Sequence, residues 1–304
     1  LQFPWMMGVI LLLCTASAIN FAFQGLERLP LQNAIGAGGA LLAASSYIVF
    51  FREGVFVGAD LIVVACVGAL TSLSSWVAYR AVVGSWPIGI PRWSDLAGLL
   101  RESWRYWWLG IMGFFCTSFQ VPVVAYYQGE RTAGILRSAI LLASALELLF
   151  SSVNNLLLPR LVVWRQEGIH VMWGRQGKLF FLLLSLGIPV TVVAWVVGPY
   201  VYHLLGTDFD EGVKVFRILV LARLVVFVGQ VYGYGMTAGG LDNEMAIVVT
   251  STAILSVTCT IIVTPVFGVL AAALVWLAAE ILVHAAFFVV QAVNVLRSRS
   301  VASC

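Results

Sequence analysis

The sequence predicts an all-α, polytopic membrane protein, and three observations carry that prediction. Hydrophobic residues fill 61% of the 304 positions, while Asp, Glu, Lys and Arg together fill 10%, against roughly a quarter charged in a water-soluble globule. Mean hydropathy is +0.99. The apolar residues come in long unbroken runs, near the ~20 residues that a helix needs to cross about 30 Å of hydrocarbon. Strands of an outer-membrane barrel would instead alternate apolar and polar residues over about ten positions. The net charge of +3 is too small to suggest a nucleic-acid partner.

Nine spans are expected in order: 4–23, 30–51, 55–79, 104–128, 132–158, 179–204, 212–237, 245–264 and 266–294. Most connections are short (24–29, 52–54, 129–131, and a Pro-Val-Phe-Gly turn at 265–268), which places successive helices antiparallel and adjacent. Two connections are longer and basic. The first, 80–103, holds Pro87, Pro91 and an amphipathic piece at 93–105 expected to lie along the membrane surface. The second, 159–178, carries Arg160, Arg165, Arg175 and Lys178.

Basic residues orient the chain, because cytoplasmic loops carry an excess of Lys and Arg. With both basic connections in the cytoplasm, that side gains Arg28, Arg80, Arg92, Arg101, Arg105, Arg160, Arg165, Arg175, Lys178, Arg297 and Arg299, eleven in all. The other side gains four: Arg52, Arg131, Lys214 and Arg217. Leu1 then starts outside and Cys304 ends in the cytoplasm. An outside start with no Met and no basic leader segment leads to the expectation of preceding helices, odd in number if the parent chain starts inside. Trp104, Trp107 and Trp108 at one span, and Trp195, Tyr200 and Tyr202 at another, read as aromatic belts at the interfaces. The five cysteines are scattered, four of them in apolar runs, and fit neither a zinc site nor a disulfide framework.

Charges at lipid depth are the sharpest functional pointers, since each costs several kcal/mol unless paired or hydrated. Arg223 lies about eleven residues into its span, too deep for easy snorkelling. It either lines a hydrated cavity and holds an anionic head group such as a phosphate, or forms a structural ion pair with Glu147 or Glu280. Arg137 lies nearer a helix start, where snorkelling accounts for it. Glu147 and Glu280 sit mid-helix, and His284 follows Glu280 by four residues, on the same helix face. That pair is either a proton relay or a polar bond between helices. Asp60 reads as a boundary residue favoured by a helix N-terminal dipole.

Enzyme chemistry finds little footing. Asp208-Phe209-Asp210 resembles a metal-binding carboxylate pair, but Asp208 stands three residues before Glu211 ahead of an apolar helix, which is a capping-box spacing. No strand precedes Gly36, Gly38 and Gly39, so they are not a nucleotide loop. With Gly229, Gly233, Gly235 and Gly239 they read as small-residue packing faces. The three histidines, His170, His203 and His284, supply no nucleophile–base–carboxylate order, and no catalytic or metal-binding residue is assigned.

Several segments resemble the polysaccharide flippases of the multidrug/oligosaccharidyl-lipid/polysaccharide exporter superfamily. Thr264 to Ala273, read as Thr-Pro-Val-Phe-Gly-Val-Leu-Ala-Ala-Ala, is similar to that family's turn before its last helix, with Glu280 where the family often has Glu. Leu205-Gly206 followed by Phe216-Arg217-Ile218-Leu219 resembles the opening of its tenth helix. Leu158-Pro159-Arg160 resembles the close of its eighth, and Gln24-Gly25-Leu26-Glu27-Arg28 the end of its fourth. Two departures stand out: Gly134-Ile135-Leu136 lacks the family's aromatic residue, and Ala271 replaces the first Gly of its Gly-Ala-Ala triplet.

The resemblance implies two six-helix lobes, of which the nine spans would be the fourth to the twelfth helices. An incomplete N-terminal lobe would occupy 1–80, a cytoplasmic linker 81–103, a complete C-terminal lobe 104–294 and a cytoplasmic tail 295–304. It also implies alternating-access transport of a polyprenyl-pyrophosphate-linked oligosaccharide across a bacterial or archaeal cytoplasmic membrane. The sugar and pyrophosphate need a hydrated cationic path, while the prenyl tail stays in lipid. Arg223, Arg137 and Arg217 would contact the substrate, and Glu147, Glu280 and His284 are the coupling candidates. No cofactor is implied, with a proton or sodium gradient as the driving force. The partners would be the lipid-linked glycan, the bilayer and other glycan-assembly membrane proteins. The alternatives are a cation-coupled multidrug exporter of the same fold and a non-transporting membrane subunit of glycan assembly. The topology is checked by reporter fusions: a cytoplasm-active reporter at Cys304 should work and one at Arg131 should not, and the reverse pattern overturns the orientation.

Overall fold

A computed structural model describes residues 59–84, 93–154, 156–205 and 211–302. The expected spans 4–23 and 30–51, the connections 24–29 and 52–54, the glycines at 36–39 and the Asp208–Asp210 pair lie outside the described residues. Among those described, the chain is helical nearly throughout and has no strand. Eight helices run in order: α1 Ala59–Val83, α2 Trp93–Thr117, α3 Gln120–Gln128, α4 Glu130–Asn154, α5 Leu157–Glu167, α6 Ile169–Leu205, α7 Gly212–Ala238 and α8 Asp242–Ala302. The chain divides into two compact units, Leu1–Arg92 and Trp93–Cys304, so α1 belongs to the first and α2 to α8 to the second.

Three segments are long and apolar enough to cross a membrane: Trp107–Gln128, Ile169–His203 and Asp242–Ser298. They take in four of the expected spans, because the last, at 57 residues, far exceeds one crossing. The expected spans 132–158 and 212–237 correspond to α4 and α7, which are helical but not among the three. In α1, Asp60 is the second helical residue. The hydroxyls of Ser74 and Ser75 donate to the carbonyls of Leu70 and Thr71 at 2.8 and 2.9 Å, so these polar groups are satisfied within their own helix.

The helix breaks follow from individual residues. Residues 93–105 continue without interruption into the span of α2, and the step comes later, at Ser118 and Phe119. Pro122 explains it: the ring collides with the carbonyl four residues back, at Ser118, and supplies no amide hydrogen. Val121 N–H bonds Ser118 O at 3.3 Å instead, in the tighter three-residue pattern. Between α7 and α8 the chain closes a Schellman turn. Leu241 N–H reaches Met236 O at 2.9 Å and Gly240 N–H reaches Thr237 O at 3.1 Å, with Gly240 at φ +73°. The turn expected at 265–268 narrows to one residue, Gly268, at φ 70° and ψ −160°. The Thr264 carbonyl, which Gly268 N–H would bond in a continuous helix, accepts from Gln128 Nε2 at 3.2 Å. Beyond Gly268 the two arms of α8 face each other: Thr252, Ser256 and Cys259 share a small cavity with Val275 and Ala279.

The second basic connection is ordered structure rather than a loop. It forms α5, a bend at Gly168 with φ +135°, and the start of α6. Arg175 of α6 clamps the bend. Its guanidinium bonds both carboxylate oxygens of Glu167, at 2.9 and 2.8 Å, and lies 5.5 Å from the Trp164 ring centroid. Of the aromatic residues expected in belts, Trp104, Trp107, Trp108 and Tyr200 are exposed. Tyr202 is instead fully buried, its ring 5.8 Å from Phe216. Two residues along a helix turn the chain through about 200°, so Tyr200 and Tyr202 face opposite sides.

At the centre stands α7, packed against α4, α5, α6 and α8. Val215, Leu219, Val220, Phe227, Val231 and Met236 are all buried. Two glutamines clasp it from opposite partners. Gln176 of α6 donates to Val231 O at 3.2 Å, and Gln291 of α8 donates to Tyr232 O. Gly235 makes room for both, since a Cβ there would collide with the two side-chain amides. Gly235→Leu is expected to lower stability by about 3 kcal/mol through overpacking and orphaned buried amides. Gly134→Ala, where a Cβ meets nothing within 4 Å, should leave stability unchanged or raise it by up to about 1 kcal/mol. Thermal unfolding in detergent checks the pair, and equal Tm values for the two variants contradict the clasp.

Candidate functional site

The polar centre of the second unit forms around Arg223 on α7. One guanidinium nitrogen lies 3.0 Å from a carboxylate oxygen of Glu147 on α4. Another donates to Ser144 Oγ, one turn earlier on α4, at 3.1 Å. The flat face of the guanidinium stands 5.4 Å from the ring centroid of Trp276 on the second arm of α8, a cation–π contact worth about 2 kcal/mol when desolvated. Trp276 in turn donates its Nε1–H to Glu280 Oε1 at 3.0 Å. Three helices therefore meet at one guanidinium flanked by two carboxylates, one bonded directly and one through an indole.

The two members of the ion pair differ in environment. The side chain of Arg223 is 13% exposed and that of Glu147 is 56% exposed. The carboxylate is thus the more open of the two and the guanidinium the more buried. Beside them is a cavity of about 130 Å³, lined by Asn154, Gln230 and Tyr234 as well as the pair. At about 30 Å³ per water it holds roughly four waters. Its lining mixes these polar groups with Phe150, Val226 and Phe227, and it is too small for a sugar. Asn154 Oδ1 is buried there with no hydrogen-bond partner among the described residues.

The other sequence-identified residues lie apart from this cluster. His284, one turn after Glu280, does not bond it: both ring nitrogens are buried and without a hydrogen-bond partner among the described residues. The imidazole packs against Gly229 of α7, where a Cβ would overlap it. Arg217 stacks 5.4 Å from the Trp195 ring centroid, joining α7 to α6. Arg137 is exposed on α4. At the start of α7, Glu211 holds the cap position but makes no side-chain cap bond. Of the six candidates, the structure brings together Arg223, Glu147 and Glu280.

Ser144, Trp276, Asn154 and Gln230 were not singled out in the sequence. Helical spacing carries the missing signal: Ser144 is three residues before Glu147, Asn154 seven after it, Gln230 seven after Arg223, and Trp276 four before Glu280. These offsets place each one on the face of the charge it serves.

Comparison with family models, with curated proteins and with solved structures gives no match in any of the three.

A double-mutant cycle with Arg223→Met and Glu147→Gln is expected to give a coupling of about 1 to 2 kcal/mol. That is below the 3–5 kcal/mol for breaking a fully buried pair, because Glu147 is half in the open. A coupling near zero in detergent unfolding would show that the pair is not an energetic unit.

Proposed function

We propose that this chain belongs to a membrane transporter that moves a polyprenyl-pyrophosphate-linked oligosaccharide across the cytoplasmic membrane by alternating access. The observation that carries this reading is Arg223: a guanidinium, always charged, held at the junction of three helices in a strongly apolar chain. A cation retained at that depth is costly unless it has work to do, and its planar fork matches the oxygens of a phosphate.

In this reading Glu147 is the resident counter-ion of Arg223, and the pyrophosphate takes its place when the substrate enters. Glu280, held by the Trp276 indole, and the small cavity beside Arg223 are the candidate route for a coupling proton or sodium ion. The sequence resemblance to the flippases supports the same assignment, and Arg137 and Arg217 serve as outlying cations on α4 and α7.

The test is translocation of lipid-linked oligosaccharide in proteoliposomes containing the full-length protein. Arg223→Ala should lower the rate by at least about tenfold, equivalent to one lost charge-assisted contact, and Arg223→Lys should recover only part of it. If both variants run at the wild-type rate, the role given to Arg223 fails. If the protein instead extrudes cationic dyes under an ion gradient, it is a drug exporter of the same fold.

A further inference from the structure

A second surface lies on the basic elbow that follows α4, made of α5, the bend at Gly168 and the first turns of α6. At 11 residues, or about 16 Å, α5 is too short to cross ~30 Å of hydrocarbon. The Arg175–Glu167 clamp ties its end to α6, and α6 shows how far that end is from the membrane core. Residues 179–202 carry no charge and extend over about 36 Å, enough to cross the hydrocarbon with little to spare. Lys178 marks their edge, and Arg175 lies about 5 Å further out. The head-group layer is about 5 to 7 Å deep on each side, so the clamp holds the end of α5 at that level.

The outer face of α5 suits that layer. Leu157 and Leu161 are buried. Pro159, Val162, Val163 and Gln166 are exposed and, at about 100° per residue, fall within a sector of about 100°. Val162 is 40% and Val163 53% exposed, so a largely apolar strip stays open opposite the packed side of the helix. Arg160 and Arg165 stand about 60° beyond the two edges of this strip, where long stems lie along apolar surface and carry their charges outward. Glu167 is the one acidic residue from 157 to 178, and Arg175 already neutralises it. Arg160, Arg165 and Lys178 form no ion pair among the described residues. The elbow therefore presents uncompensated cations around an apolar strip.

We propose that α5 is an interfacial helix lying in the head-group layer, with Val162 and Val163 at the acyl boundary and Arg160, Arg165 and Lys178 on the phosphates of anionic phospholipids. The free cations select an anionic surface over a zwitterionic one. The strip between them selects a lipid surface, since a soluble anion would pair with the cations but leave the valines in water. This contact does not depend on what the protein transports.

Spin labels at Val162→Cys and Val163→Cys test the placement, one at a time in the full-length protein with its other cysteines replaced by serine, in phosphatidylglycerol nanodiscs. Both labels should collide with oxygen, which dissolves in lipid, more often than with a water-soluble nickel chelate. An excess of nickel collisions at both sites places the strip in water, and labels shielded from both reagents place it against protein. Either result overturns the proposal. Native mass spectrometry of the full-length protein in equal phosphatidylglycerol and phosphatidylcholine tests the head-group contact. Wild type should retain phosphatidylglycerol in preference, and Arg160→Gln, Arg165→Gln and Lys178→Gln should each cut that preference by about fivefold. A preference unchanged in all three variants overturns the anionic contact.

Discussion

Enclosure of α7 by α4, α5, α6 and α8 is the constraint on which the rest of the second unit depends. A helix packed against four others buries most of its length. Any polar group it carries must be satisfied by the helices around it. Arg223 is satisfied by Ser144, Glu147 and the face of Trp276. The backbone of α7 is drawn into the same scheme, because Gln176 and Gln291 bond its carbonyls from two sides. Enclosure also dictates where α7 must be thin. Gly229 receives His284 and Gly235 receives the two glutamines, so glycine spacing on one helix sets how closely its partners approach.

Local breaks then bring the partners into place. Pro122 steps the chain between α2 and α3, and Gly168 bends α5 against α6. Gly268 folds α8 into two facing arms, its freed carbonyl partner held by Gln128. Only because α8 turns there does its second arm run beside α7, carrying Trp276 and Glu280 to Arg223 and His284 to Gly229. The Arg223 cluster and the His284–Gly229 contact are therefore two products of one chain reversal, reached at different levels of the same arm.

Much of this was legible in the residues. Apolar runs marked the helices, Pro and Gly marked their ends, and the depth of Arg223 singled out the charge that organises the site, with Glu147 and Glu280 as its two alternative ion-pair partners. What was not legible depended on rotation about helix axes or on contacts distant in sequence. Tyr202 resembles its neighbour Tyr200 in composition, yet it faces the core. The basic stretch after α4 reads as a loop, because nothing local announces the Arg175–Glu167 clamp that gives α5 its place. Glu280 and His284 share a helix face by spacing, but the carboxylate accepts from Trp276 while the imidazole packs against Gly229 of α7.

The unequal exposure of Arg223 and Glu147 has a consequence for how the cluster handles an arriving anion. The pair has a front and a back, with the carboxylate at the front. In the role proposed for Arg223, an arriving anion would meet the exposed carboxylate before the guanidinium, so that binding would exchange one counter-ion for another instead of stripping a bare cation of water.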